Sequence, residues 1–488
     1  MRDIKIKINT IKINTIIYIV TAFSCLVLMN LVNVQSDYLS YKWLSVLLSI
    51  EIVTFVWANT KCNGTVLNFS FIFVALLALF NFGQVFLIGF FPESLVEKIV
   101  VLKYFSAEDG YSALTWINIA FVFLSSAILL STKTEKNTFI YNTKDVLDEQ
   151  VYIKKAFILI LLTFPIKVFI DMNFLIRATT IGFEYGKSWL NSFPDFIRTI
   201  GDFSVIGFAF LIVALKNKPS RQIKWFAFII LYFFILMLSG RRSETVSYLC
   251  VITYLLLATR QKREFHISIK KILQIIILIV FAYIVLLYLY TIVHVRDTTG
   301  NNILDIIDKM LYYNKHENII LEEMREYGQT GYTAIAVLTN WLTSHSPSYG
   351  KSYIYGISAI FPNVGGIMGK LTEESTFGLT IYRTPGILNS LYTNIGGNVL
   401  GEFFFNFGKI GGVIASTLLG VFIGKINSKV NKNIDEFNYN IIYMIPVMFA
   451  VLYWIRDYFG SCIRDIIWGV MICWIVKKMH IKMHIKRT

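Results

Sequence analysis

Residues 216–263 read KNKPSRQIKWFAFIILYFFILMLSGRRSETVSYLCVITYLLLATRQKR. The segment opens on Lys216, Lys218, Arg221 and Lys224, and runs apolar to about Ser239. It turns through Gly240-Arg241-Arg242, runs apolar again over 243–258, and closes on Arg260, Lys262 and Arg263. About 20 mostly apolar residues cross a bilayer. The hydrocarbon cannot satisfy free backbone groups, so each run must be a helix. The unit is therefore a membrane hairpin with basic residues at both free ends. Outward from it, the same pattern repeats along the chain. Apolar stretches lie at 14–34, 40–57, 66–90, 111–131, 155–174, 196–214, 224–239, 243–258, 272–293, 398–424, 440–456 and 462–476. Segments 1–13, 58–65, 132–155, 215–224, 259–271, 425–439 and 477–488 together carry 27 Lys and Arg against 8 Asp and Glu. That balance of +19 leaves −4 for the rest of a chain whose net charge is +15. Basic residues on short loops mark the cytoplasmic side. The expected fold is an all-α polytopic membrane protein of about 12 spans with both termini cytoplasmic.

The same partition explains the basic balance without nucleic acid, so no nucleic-acid partner is expected. The first apolar run follows Arg2, Lys5, Lys7 and Lys12 but is long and meets no small-residue cleavage site, so it reads as an uncleaved span. Cys25, Cys62, Cys250, Cys462 and Cys473 lie in or beside spans without C-x-x-C spacing, which supports neither a disulfide framework nor zinc. With no repeat, low-complexity tract or linker, 1–488 reads as a single integral domain. A two-halved transporter is disfavoured because the connection at 215–224 is short and no internal symmetry is visible. The 76 aromatic residues (40 Phe, 27 Tyr, 9 Trp) fit lipid-facing packing and interfacial belts.

One loop breaks the economy. Residues 294–397, between the ninth and tenth spans, form a large external loop, and loops that long usually have a function. It contains an amphipathic stretch from Ile303 to Tyr327 and two half-apolar stretches, Gly331–Leu342 and Ser352–Met368, expected to be re-entrant or interfacial helices. This loop is the expected lid or acceptor-binding element.

Arginines on the outer side oppose the inside bias, and each needs a reason. Arg241 and Arg242 sit in the outer turn beside the N-terminus of the next span. Free N–H groups there attract anions, and two guanidiniums add bidentate phosphate recognition. Snorkelling to headgroups, with Arg241 paired to Glu244, is the alternative, but Glu244 neutralises only one of them. Arg456-Asp457 and Arg464-Asp465 flank the last hairpin. Their adjacent carboxylates favour ion pairs bracing the turn, and both arginines stay candidate diphosphate ligands. In Gly401-Glu402-Phe403-Phe404-Phe405-Asn406-Phe407-Gly408-Lys409, helical spacing puts Glu402, Asn406 and Lys409 on one polar stripe. Lys167 and Asp171 are expected to pair at i,i+4, while Glu51 has no evident partner. Glu108-Asp109 reads as a solvated loop pair. His294, His316 and His345 fit no zinc spacing, and each is a candidate general base.

No D-x-D motif is present, so a nucleotide-sugar enzyme with a divalent ion is poorly supported, and no metal or other cofactor is expected. Arginines can instead stabilise charge on a phosphate leaving group while a carboxylate or His deprotonates a hydroxyl. The large late outer loop, the Ser-Gly-Arg-Arg turn opening a helix and the Gly-Glu-aromatic-aromatic-aromatic-Asn-Phe-Gly run resemble the Wzy family of O-antigen and capsular repeat-unit polymerases. The resemblance implies a metal-independent membrane glycosyltransferase, related to O-antigen ligases, in the bacterial cytoplasmic (inner) membrane with its site facing outward. It further implies undecaprenyl-diphosphate-linked glycan as donor and acceptor, contact with membrane lipids, and a chain-length regulator protein as a candidate partner. Arg241 and Arg242 then hold the diphosphate, Arg296 and Arg383 stand for the family's outer-loop arginines, and Glu402 matches its acidic position. The family's paired Arg-x(10)-Gly motifs are not evident here. Glu402 or His345 is the candidate base, with Arg296 assisting departure of the diphosphate. An O-antigen ligase, a lipid-linked oligosaccharide flippase and a structural or scaffolding subunit of an envelope complex are the alternatives.

Overall fold

Apolar side chains in runs of about 20 leave the backbone no partner but itself, and helix is the outcome throughout. The computed structural model describes residues 2–31, 39–91, 105–132, 144–193, 195–237, 239, 243–260, 283–288, 290–292, 294–295, 303–341, 346–361, 396–435 and 438–479, and no strand occurs among them. In chain order the helices are α1 (Arg2–Leu31), α2 (Leu39–Asn63), α3 (Phe69–Phe90), α4 (Ala107–Ser131), α5 (Lys144–Thr180), α6 (Phe183–Ser192), α7 (Asp195–Ala214), α8 (Pro219–Met237) and α9 (Ser243–Ala258). Then follow α10 (Ile303–His316), α11 (Ile319–Gly328), α12 (Thr330–Ala336), α13 (Lys351–Gly356), α14 (Val399–Asp435), α15 (Ile441–Trp454) and α16 (Phe459–Lys478).

Nine helices among the described residues are long and apolar enough to cross a membrane, the length and composition of an integral membrane protein. Shorter apolar helices at Glu244–Ala258, Tyr283–Ile292 and Ile441–Trp454 fall where the remaining spans were expected. Helix α9 begins at Ser243, the residue that follows Arg241 and Arg242 in the sequence.

The described contacts group into two compact units. The first comprises 1–136, 320–429 and 450–464, and the second 137–319, 430–449 and 465–488. In the first, small residues let backbones meet, the usual solution where lipid supplies no hydrophobic drive. Gly420 and Gly424 of α14 face α4, and a Cβ on Gly424 would lie 2.6 Å from the Ile128 carbonyl oxygen. A Cβ on Gly420 would collide with the Leu124 carbonyl oxygen. Gly420→Leu with Gly424→Leu is therefore expected to lower the temperature of irreversible unfolding in detergent by several degrees, since overpacking costs about 1–3 kcal/mol per site. An unchanged transition would show that α4 and α14 do not pack through this face.

The same device carries part of the large loop into the helical layer. Gly83 of α3 meets the Met324 carbonyl, where a Cβ would lie 2.8 Å away, and Gly331 meets the Asn81 carbonyl, at 2.7 Å. Gln84 Nε2 donates to the Arg325 carbonyl at 3.1 Å. Every residue of α12 is buried. Asn81 lies nine residues before Phe90, about 13.5 Å along a helix rising 1.5 Å per residue. So the first half-apolar stretch is sunk against α3. The second differs: Ile354, Ile357 and Phe361 of its described part are exposed.

In the second unit, Lys167 and Asp171 pair at 3.2 Å as their spacing predicts. Lys167 Nζ also reaches Asp202 of α7 at 2.7 Å. The Tyr232 hydroxyl of α8 donates to Asp171 at 2.6 Å, so the Lys167–Asp171 pair of α5 is tied to α7 through the lysine and to α8 through the aspartate. Helix α6 packs Leu190 beside Phe174 and Ala178, with Phe183 and Trp189 against that cluster.

Candidate active site

The start of α14 is a polar centre in an apolar unit. Asn398 precedes the helix, and its Oδ1 accepts from the amides of Leu400 at 3.0 Å and Gly401 at 3.1 Å, satisfying two of the helix's orphan donors. Its Nδ2 donates to Asn81 Oδ1 at 2.9 Å and to the Thr330 carbonyl at 3.3 Å. Thr333 Oγ1 donates to the Gly396 carbonyl at 2.9 Å. One asparagine thus ties α14 to α3 and to the sunken α12.

One turn on, Glu402 is fully buried. Its Oε2 accepts from Trp454 Nε1 at 2.8 Å. The Phe459 amide, the first residue of α16, reaches Oε1 at 3.3 Å and Oε2 at 3.2 Å. The carboxylate therefore sits at the positive end of α16 and spans the turn between α15 and α16. That turn carries Arg456. The Arg456 carbonyl accepts from Gly397 at 3.0 Å, and its half-buried guanidinium lies 5.9 Å from the Phe80 ring centre. Asp457 Oδ1 accepts from the Tyr458 amide at 2.8 Å, closing the turn. Arg464 lies partly buried on α16, five residues beyond the carboxylate's contact at Phe459.

Asn406 follows on the Glu402 face. It donates to the Glu402 carbonyl at 2.8 Å and accepts from Ser352 Oγ at 2.9 Å. Tyr353 stacks on Phe407, with ring centres 5.6 Å apart, and meets Phe459 edge-on at 4.7 Å. Burial pushes its hydroxyl well above the usual tyrosine range. The expected third member of the stripe is absent from it. Gly408 takes φ 68° and ψ −164°, which kinks α14, and Lys409 beyond the kink is exposed. Its carbonyl accepts from Trp116 Nε1 at 3.1 Å. The helical periodicity that placed Lys409 beside Glu402 does not survive a glycine in left-handed conformation.

Thus Glu402 of α14 contacts both ends of the turn that carries Arg456. The other expected site residues, Arg241, Arg242, Arg296, Arg383 and His345, lie outside the described residues. Glu108 and Asp109 occupy the first turn of α4, where Ser106 caps the helix, accepting from the Asp109 amide at 3.1 Å. They serve a helix terminus rather than a solvated loop. Glu51 has a partner after all, Asn118 Nδ2 at 3.1 Å. Among the described residues no group of three or more His, Cys, Asp and Glu gathers as a metal site.

Sequence reasoning missed Asn81, Gln84, Thr330, Thr333, Asn398 and Trp454. Two signals were present. Asn81 and Gln84 stand three apart in an otherwise apolar span, where polar side chains seek partners. Asn398 directly precedes an apolar run, the position of a helix cap.

The arrangement has the chemistry of an arginine-bearing turn, held by a buried carboxylate and backed by a capped helix start. A family model described as O-antigen polysaccharide polymerase Wzy matches residues 13–484. No curated protein and no solved structure matches the chain.

Proposed function

The chain belongs to the O-antigen polysaccharide polymerase Wzy family, and from that premise we propose how it performs the transfer. It is an integral membrane glycosyltransferase acting in O-antigen polymerisation, on lipid-linked oligosaccharides in the membrane. The donor is a growing glycan on undecaprenyl diphosphate, held at the outer face of the inner membrane, and the acceptor is one lipid-linked repeat unit. A hydroxyl of the acceptor's outermost sugar attacks the donor's anomeric carbon, its proton passes to a base, and the diphosphate leaves with the bonding pair. Arg241 and Arg242, beside the start of α9, take the developing charge, assisted by Arg296 and Arg383. Arg456 and Arg464 steer the diphosphate from the last hairpin.

We assign the base to His345 and a bracing role to Glu402. A carboxylate that accepts from Trp454 and Phe459 and has no exposed surface is built to hold the Arg456 turn. The match over residues 13–484 carries the functional reading. Its test is glycan banding in a strain lacking its own polymerase and supplied with the matching repeat unit. Expression of this chain is expected to convert single attached units into a ladder. Persistence of single units with the protein present in the membrane would overturn the reading.

A further inference from the structure

We propose that Tyr290, His294, Tyr312, Tyr313 and His316 form a saccharide-binding shelf that holds sugar rings of the glycan being extended. It rests on the polymerase reading for the identity of that glycan. The shelf belongs wholly to the second unit. It uses one local device twice. Tyr290 precedes His294 by four residues, and Tyr312 precedes His316 by four, so each imidazole falls over the tyrosine of the previous turn. The ring centres are 4.2 Å apart in the first pair and 4.3 Å in the second. In both, the histidine Nδ1 bonds the carbonyl of that same tyrosine, at 2.9 Å for His294 and 2.8 Å for His316. Tyr313 joins the pairs, with its ring centre 5.2 Å from Tyr290, 5.5 Å from His294 and 5.6 Å from Tyr312.

The result is a continuous aromatic surface with its rotamers already set. Tyr290 is its buried floor, at 2 % exposure, and Tyr312 its open face, at 57 %. His294 and His316 are exposed as well. The Tyr283 hydroxyl donates to Asn314 at 2.8 Å and the Tyr290 hydroxyl to Glu317 at 3.4 Å, holding the end of α10 to the apolar helix Tyr283–Ile292.

The chemistry selects carbohydrate. One face of a pyranose is a patch of C–H groups that lies over the negative face of an aromatic ring, while its hydroxyls need hydrogen-bonding groups at the rim. A carbonyl only accepts, so Nδ1 of His316 donates to it, which leaves Nε2 as the ring nitrogen available to a sugar hydroxyl. A polyprenyl tail would instead ask for an apolar surface without such a rim. Fixed aromatic side chains also lose little entropy on binding.

The test titrates the free repeat-unit oligosaccharide, released from its lipid carrier, into the full-length protein in nanodiscs, with maltoheptaose as a non-cognate probe. Wild type is expected to bind the repeat unit, and Tyr312→Ala to weaken that binding about tenfold by removing the open ring face. Tyr312→Trp should retain it, and Leu311→Ala, exposed on the same helix but outside the shelf, should leave it unchanged. Equal affinities for wild type and Tyr312→Ala, or no binding by wild type, would overturn the proposal. A ladder from lipid-linked units alongside equal affinities retires the shelf alone. Binding lost in Tyr312→Ala without any ladder retires the polymerase reading and keeps the shelf.

Discussion

Glu402→Ala is expected to abolish polymer formation, and Glu402→Gln to retain a substantial part of it. The alanine leaves the Trp454 N–H and the Phe459 amide buried without an acceptor, and each such loss costs about 1–3 kcal/mol, more where the partner was charged. The cost falls on the turn that presents Arg456, so the guanidinium loses its setting at the start of α14. Glutamine keeps one carbonyl oxygen for Trp454 and fills the same volume, although its amide faces the Phe459 N–H unfavourably. The ratio between the two variants separates the possible roles. If Glu402 takes the proton of the attacking hydroxyl, glutamine is as inactive as alanine, with losses of about 10²–10⁴-fold in both, the usual contribution of a general base. If it braces the turn, glutamine falls far less. Initial rates of ladder formation by the two purified proteins, matched for folded amount, decide between them.

Arg241→Ala combined with Arg242→Ala is expected to remove long polymer while leaving the protein in the membrane. These residues directly precede α9, which begins at Ser243 with Glu244 in its first turn, so an acid already answers the helix dipole there. What the double variant removes is the paired guanidinium charge that a departing diphosphate requires. Arginines stabilising phosphoryl transition states are worth about 10³–10⁵-fold in related chemistry, and even the lower figure leaves no visible ladder. Lysines at both positions should restore only a fraction, because an ammonium lacks the planar fork that meets two phosphate oxygens. Long polymer from the alanine double variant would remove these residues from the diphosphate site.

How far the sequence carries can be seen residue by residue. Spans were legible because length and apolarity are local, and α9 begins at Ser243, directly after the two arginines in the sequence. The Lys167–Asp171 pair and the Asn406–Glu402 contact were legible because four residues on a helix always face each other. Asp202 on Lys167, Trp454 on Glu402 and Asn81 on Asn398 were not, since each joins helices far apart in sequence. Lys409 was misplaced for a different reason: periodicity assumes an unbroken helix, and Gly408 breaks it. The sunken position of α12 also escaped notice. The glycines that allow it, Gly83, Gly328 and Gly331, lie on different segments and become meaningful only once they meet.

The most direct test of the central claim is a reaction of the purified protein with a single lipid-linked repeat unit in EDTA, resolved on a gel. The polymerase account predicts a ladder of lengthening products with no added metal. A single unchanged band, with a substrate that another polymerase of the same repeat unit extends, would contradict it.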